Sequence, residues 1–172
     1  MNDVTFPFIA MNVQFAVNIV QTHLAQYSEE RAEWLHLALC RSANEAAFPN
    51  VWQVITGGID KGETPLQTAF REVEEETGIF CRDLWTLPFV GQYFDATRNI
   101  LNFVPCFGAV VSEGTRVRLS GEHSIYKWLP LEELRQYLVI PSHETGSEHF
   151  ARSILQPLRS GKQPVFTRSV RS

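Results

Sequence analysis

The chain is 172 residues long, 44% hydrophobic and 20% charged, with 19 acidic against 15 basic side chains and a net charge of −4. That length suits one domain with a core of its own, so a wholly disordered, collagen-like or coiled-coil chain is excluded. The acidic balance also lacks the broad basic footprint of a duplex nucleic-acid binder, while leaving open a phosphate-bearing small molecule held through metal ions.

Residues 1–20 are apolar but carry no basic residue, and Asn12, Gln14 and Asn18 interrupt them at strand-like spacing. A strand over 13–20 is expected, not a signal peptide or a membrane span, which makes the cytoplasm the default location. Both Met1 and Met11 can serve as the start. A polar turn at 27–32 precedes Leu35, Leu37 and Leu39, whose alternation predicts a second strand ending at Arg41. Residues 42–50 read as a loop that contains Phe48. A short strand follows over 51–55, closed by the turn Thr56-Gly57-Gly58.

Next comes the clearest helix start in the chain. Thr64 is placed as N-cap, Pro65 takes the first helical position and Gln67 completes a capping box. The helix runs to about Thr77 and stops at Gly78. Strands are expected over 84–95 and 101–111, with Pro105 marking an edge or a bulge in the second. A short strand over 125–129, a short helix over 131–138 and a last helix over 147–158 follow, the last with Thr145 and Glu148 as capping box. The tail 161–172 and the first ten residues are expected to be loosely ordered. Strands and helices intermix, which predicts a single α/β (α+β) domain with a mixed sheet. Cys40, Cys81 and Cys106 are odd in number and show no C-x-x-C spacing, as expected of buried thiols in a reducing compartment.

The chemistry concentrates in 57–79, GGIDKGETPLQTAFREVEEETGI. At about 100° per residue, Leu66, Ala69, Phe70 and Val73 form one apolar stripe that must pack on the sheet. Glu72 and Glu76 stack beside it, Glu75 lies a turn further round the same arc, and Glu74 faces water. Carboxylates so close repel each other, and a divalent cation is the simplest way to offset that. Arg71, four residues before Glu75, can pair with it and hold its rotamer. The competing reading is a solvated acidic helix face. Against it stands the whole spacing of Gly57, Glu63, Arg71, Glu72, Glu75, Glu76 and Gly78, which by residue frequencies alone has a probability below ~10⁻⁶ in a chain of this length.

This pattern resembles the Nudix box, with every signature position filled, and the resemblance extends roughly over 11–138. It implies a mixed β-sheet sandwiched between helices, and hydrolysis of a nucleoside diphosphate linked to another moiety with Mg²⁺, for which Mn²⁺ can substitute. It implies Glu72, Glu75 and Glu76 as metal ligands, with Gly57 or Gly58 offering backbone groups nearby, and Glu63 and Arg71 as supporting residues. By the same resemblance Glu122 is an extra ligand or the general base, and Arg41 grips phosphate. The catalytic set is then Glu75, Glu76, Glu122 and Arg71, with the attacking water activated by Glu75 or Glu122. Thr56 stands where many members carry proline. Trp52-Gln53, Arg98-Asn99 and Glu122-His123 before Tyr126-Lys127-Trp128 are similar to dihydroneopterin triphosphate pyrophosphohydrolases, which also act on dATP.

Around this centre, Gln53 can hydrogen-bond a ring edge, and Phe48, Tyr93, Phe94, Arg98 and Asn99 are candidates for the substrate rim. Trp52 reads as a core side chain and His123 as structural. His143, Glu144, Glu148 and His149 match no standard zinc spacing. The expected substrate is therefore a nucleoside or pterin triphosphate. The alternatives are a dinucleotide (ADP-ribose, NADH or a diadenosine polyphosphate) or a nucleotide-binding protein without turnover. No membrane and no stable nucleic-acid partner are expected, and the chain is read as a monomer or homodimer.

Overall fold

The computed structural model describes residues 13–171. Nine strands form one mixed sheet: β1 (Gln14–Ala16), β2 (Ile19–Ser28), β3 (Glu33–Arg41), β4 (Trp52–Gln53), β5 (Ile55–Gly58), β6 (Asp83–Asp95), β7 (Ile100–Val111), β8 (His123–Pro130) and β9 (Arg168–Val170). The order is β4-β3-β2-β7-β6-β9, with β1 added to β7, β5 to β2 and β8 to β3. The helices are α1 (Pro65–Thr77), α2 (Leu131–Tyr137) and α3 (Pro141–Phe150), and α3 runs on through a π turn at Ala151–Leu155 into α4 (Gln156–Arg159).

The sheet lies between the helices. On one face Val20, Leu24, Leu39 and Ile55 pack against Ala69, Phe70 and Val73, the apolar stripe of α1. On the other, Ala25, Trp85, Leu87 and Cys106 pack against Phe150, Ile154 and Leu155. A third cluster joins Ala38, Val54 and Leu129 to Leu134 and Leu138 around α2. The expected mixed α/β sandwich is therefore present. Among the described residues no helix is long and apolar enough to cross a membrane.

The ends of α1 follow its sequence. Thr64 caps the N-terminus in a full capping box with Gln67, Pro65 opens the first turn, and Gly78 ends the helix in the left-handed conformation at φ 65°. Elsewhere local patterning was overridden. The first expected strand divides into β1 and a much longer β2, which hides Gln21, Thr22, His23 and Gln26. Those polar residues broke the apolar alternation from which strand length was read. Thr56-Gly57-Gly58 is not a turn: it belongs to β5 and pairs with β2, opposite Gln21, Val20 and Ile19.

Pro105 sits in β7, an interior strand between β2 and β6, so the edge reading fails. The irregularity lies in the partner strand instead: between Thr86↔Phe107 and Val90↔Pro105, β6 carries three residues against one of β7, so the bulge faces Pro105 from β6. The last helix begins at Pro141, six residues earlier than expected. Thr145 is no cap, since its hydroxyl donates to the Pro141 carbonyl at 3.0 Å. The widened π turn stands just before Pro157, which has no N–H to continue the ladder. The tail, expected to be loose, adds β9 to the edge of β6 through Arg168↔Trp85, Ser169↔Leu84 and Val170↔Asp83. The other loose segment, 1–10, lies outside the described residues.

Candidate active site

The loop from Gly58 to Glu63 folds back along α1 and delivers Glu63 to Arg71. The Glu63 carboxylate takes both sides of the guanidinium fork, with Nε to Oε1 and Nη2 to Oε2 each 2.9 Å. Thr68 donates to the same Oε2 at 2.8 Å. The remaining donors of Arg71 reach Glu72 Oε1 at 2.6 Å, Glu75 Oε2 at 3.0 Å and the Gly58 carbonyl at 2.9 Å. Arg71 therefore binds three of the box carboxylates at once. These hydrogen bonds hold the Glu63 carboxyl down at about 2 and push the guanidinium further up.

Glu76 behaves differently. It is 3% exposed and has no cation in contact. One carboxylate oxygen takes a backbone hydrogen bond from Thr56, while Oε2 is buried with no partner. Burial, with Glu72 and Glu122 adding to it, pushes its pKa well above the ordinary carboxylate range. Burial also raises Glu72, the nearest of its acidic neighbours, against the pull of Arg71. Gly57 makes this approach feasible: a Cβ there would lie 1.9 Å from Glu72 Cδ.

His123 Nδ1 is 3.8 Å from Glu76 Oε2, too far for a hydrogen bond, and its Nε2 lies 3.1 Å from the Gln53 amide. Burial lowers this imidazole to about 4, so it stands neutral. Glu122 is exposed, and Arg41 Nη1 lies 3.9 Å from it. Arg41 is otherwise engaged by Glu45 at 2.8 Å and by the Ala47 carbonyl at 2.8 Å. Among the described residues no three acidic, histidine or cysteine side chains stand where they would together hold a metal ion. Arg71 draws Glu72 and Glu75 toward itself and away from Glu76.

Beside these carboxylates opens a cavity of about 540 Å³. Of the residues singled out in the sequence, Arg41, Phe48, Gln53, Thr56, Tyr93 and His143 line it. Arg98 does not; it stands at the β6–β7 hairpin tip, 76% exposed and 3.8 Å from Asp95. Asn99 is at the same turn with φ 56°. Gly58 contributes its carbonyl to Arg71 and does not line the cavity. Trp52 packs edge-on against Tyr137 at 5.1 Å, as a core side chain should. Glu74 is half exposed and paired with Arg171 at 2.7 Å.

The sequence reading missed Gln21 of β2 and weighed His143 of α3 only against a zinc site, yet both line the cavity. The one available signal was the pair Gln21 and His23, polar residues two apart on one face of β2. A larger hollow of about 670 Å³ is lined by Phe80, Arg82, Arg116 and Arg168; no box carboxylate lines either space, but the 540 Å³ cavity is lined by Arg41, Gln53 and Thr56, the neighbours of Glu122, His123 and Glu76.

Comparison with known proteins fits this arrangement. Over 94 residues the chain is 35% identical to the bis(5′-nucleosyl)-tetraphosphatase [asymmetrical] of Mus musculus, a match spanning 49% of this chain and 59% of that protein. Over 107 residues it is 30% identical to the nucleoside triphosphatase NudI of Salmonella schwarzengrund, covering 58% of this chain and 76% of that one. The chain thus spans little more than half the length of the first of these curated relatives. The E. coli dihydroneopterin triphosphate pyrophosphohydrolase shares the fold with a TM-score of 0.60, at 22% identity, over 78% of this chain and 97% of that chain. Residues 24–153 match the NUDIX domain, and the chain belongs to the Nudix family.

Proposed function

We propose that this chain is a divalent-metal-dependent pyrophosphohydrolase. It cleaves a nucleoside or pterin triphosphate between the α and β phosphates, giving a monophosphate and pyrophosphate. The observation that carries the reading is the buried, unpartnered oxygen of Glu76 among Glu72 and Glu122, joined through the hydrogen bond from Thr56 to the lining of a largely apolar cavity. An uncompensated buried carboxylate is costly unless a cation joins it. Acceptor-only oxygens suit a hard divalent ion such as Mg²⁺, or Mn²⁺ in its place. Glu72 and Glu76 would hold it from the buried side, and Glu75 and Glu122 from the exposed side. The ion would neutralise phosphate oxygens and lower the pKa of a bound water.

The chain's own residues do the rest. Arg71 and Glu63 fix the rotamers of Glu72 and Glu75 through the fork described above. Gly57 leaves room for Glu72 against β5. Arg41, at the cavity wall, would turn Nη1 to the phosphates, its Nε and Nη2 being held by the Ala47 carbonyl and Glu45. Water attacks phosphorus, the bond to the departing pyrophosphate breaks, and a carboxylate takes the proton of the water. Glu122 is better placed for this than Glu75, whose Oε2 already accepts from Arg71 at 3.0 Å.

The test is a product assay with Mg²⁺ on dATP, other nucleoside triphosphates, dihydroneopterin triphosphate, ADP-ribose and diadenosine polyphosphates. Phosphate signal that requires added pyrophosphatase, on triphosphates, is the expected result. Signal that requires added phosphatase, on dinucleotides only, would replace the triphosphate reading. Among the alternatives, the similarity to the murine tetraphosphatase is what supports the dinucleotide reading. Binding without turnover would leave a nucleotide-binding protein.

A further inference from the structure

The floor of the cavity carries a hydrogen-bond chain whose direction can be fixed atom by atom. The Gln21 side-chain nitrogen lies 3.0 Å from the Ser142 carbonyl oxygen and 2.7 Å from His23 Nε2. A carbonyl only accepts, so the amide must present its NH₂ to Ser142. The second amide proton then goes to His23 Nε2, which must be the acceptor, and His23 carries its proton on Nδ1. Ser147 closes the chain: its hydroxyl donates to the His143 carbonyl at 2.9 Å and receives His23 Nδ1–H at 3.1 Å. Burial keeps His23 neutral, its pKa well below the usual value, as this scheme requires.

Close packing locks the arrangement. Gln21 is 1% exposed and His23 2%. Gly146 lets α3 come down on them, since a Cβ there would stand 2.3 Å from the Gln21 nitrogen and 2.5 Å from His23 Nε2. With both amide protons committed inside the protein, the one hydrogen-bonding atom of Gln21 left over is Oε1, and Gln21 lines the cavity. Beside it lies His143, 5% exposed, a cavity-lining ring whose buried Nδ1 has no partner. A rotatable amide reads donors and acceptors alike. This amide cannot rotate, so it reads donors only.

We infer that Gln21 is a specificity-determining residue of the cavity: it selects a neutral nitrogen heterocycle that presents an amino group to Gln21 Oε1, with His143 beside it to meet a neighbouring ring nitrogen. The inference rests on the proposed function for the location of the ring and adds which edge of the ring is read. The walls suit it, because Phe48, Tyr93, Val104 and Ile140 offer apolar surface, and Arg41 is the one formally charged side chain in the lining. An amino-free analogue would leave Gln21 Oε1 desolvated and unpaired, and unpaired buried groups discriminate more strongly than lost methylenes.

Three matched ligand pairs, each differing by one amino group, test this by calorimetry on the full chain with Mg²⁺: AMP against purine riboside 5′-monophosphate, GMP against IMP, and pterin against 2-desaminopterin. In at least one pair the amino compound should bind about tenfold or more tightly, and Gln21→Met, checked for folding by its melting profile, should collapse that ratio toward one. Equal affinities within every pair would overturn the inference, as would a ratio that persists in folded Gln21→Met or the absence of binding by any ligand. If Gln21→Met does not fold, Gln21→Asn takes its place: it keeps a buried amide on β2 but, one methylene shorter, draws the acceptor oxygen back from the cavity, and the ratio should fall. These binding readings do not depend on turnover. A ratio without hydrolysis sinks the proposed activity alone, and hydrolysis without a ratio sinks this inference alone.

Discussion

The two sides of the cavity solve opposite electrostatic problems. On the α1 side, charges are crowded and paired: Arg71 serves Glu63, Glu72 and Glu75, and Glu76 is left buried with no ion partner and with Oε2 unbonded. On the α3 side, titratable groups are crowded and uncharged: His23, His36 and His143 are all buried, and burial holds the last two at about 4. A surplus of buried negative charge calls for a cation. A set of buried neutral imidazoles calls for fixed tautomers and a neutral ligand. On the proposed function the difference divides catalysis from recognition, and each side can be attacked on its own.

The largest effect is expected at Glu76. Glu76→Gln removes the buried charge and keeps the shape, so turnover should fall by about 10³-fold or more while the protein stays folded. Stability without metal should rise, because an isolated buried carboxylate is unfavourable. Rates near normal in a pyrophosphate-release assay would remove Glu76 from the machinery and dissolve the contrast. Gly57→Ala comes next. The new Cβ would overlap Glu72 Cδ, and backbone in a paired strand cannot retreat, so Glu72 must leave its place. A loss on the order of 10²-fold in kcat/KM is expected from such a displacement, with little change in melting temperature. Equal activity would show that Glu72 works from a different rotamer.

The neutral side breaks through pH. A histidine whose pKa is lowered on folding binds its proton more readily when unfolded, so stability is full above about 6.5 and is lost as pH falls toward the folded value. For His36 and His143 that value is about 4. Thermal melts should therefore drop steeply between pH 6.5 and 4, by the equivalent of a few kcal/mol per histidine at the acid end. His36→Gln should flatten the curve. A melting temperature that stays level through this window would mean that these rings are not neutral in the fold.

The same contrast explains what the sequence disclosed. The box was legible because its chemistry is local: Glu63, Arg71, Glu72, Glu75 and Glu76 lie within one loop and one helix, where spacing is geometry. Thr64, Pro65, Gln67 and Gly78 marked that helix to the residue. The floor was illegible because Gln21 and Ser142 are 121 positions apart and meet through sheet register and helix docking. Polar side chains inside β2 hid the strand itself, because burial of a satisfied amide looks like a break in hydrophobic patterning. Arg98 shows the converse error. Its neighbourhood in sequence looked like a rim, yet a long hairpin carries it away from the cavity.

The smallest expected effect lies at the tail, and it asks how far the charged side extends. Arg171 bridges Glu74 at 2.7 Å and lies over the Phe80 ring at 4.6 Å and the Phe70 ring at 5.7 Å. It therefore ties the segment after β9 to the outer face of α1, where it shares a hollow with Arg71 and Glu75. A half-exposed ion pair contributes about 0–1 kcal/mol and a partly solvated cation–π contact about as much. Arg171→Ala should then lower the melting temperature by only a few degrees, with the loss shrinking at high salt. Glu74→Gln should do less, since the aromatic contacts remain, and neither change should alter KM. A large loss of turnover in Arg171→Ala would mean that the orientation of α1 depends on the tail. The charged side would then be a property of the docked helix, not of the box alone.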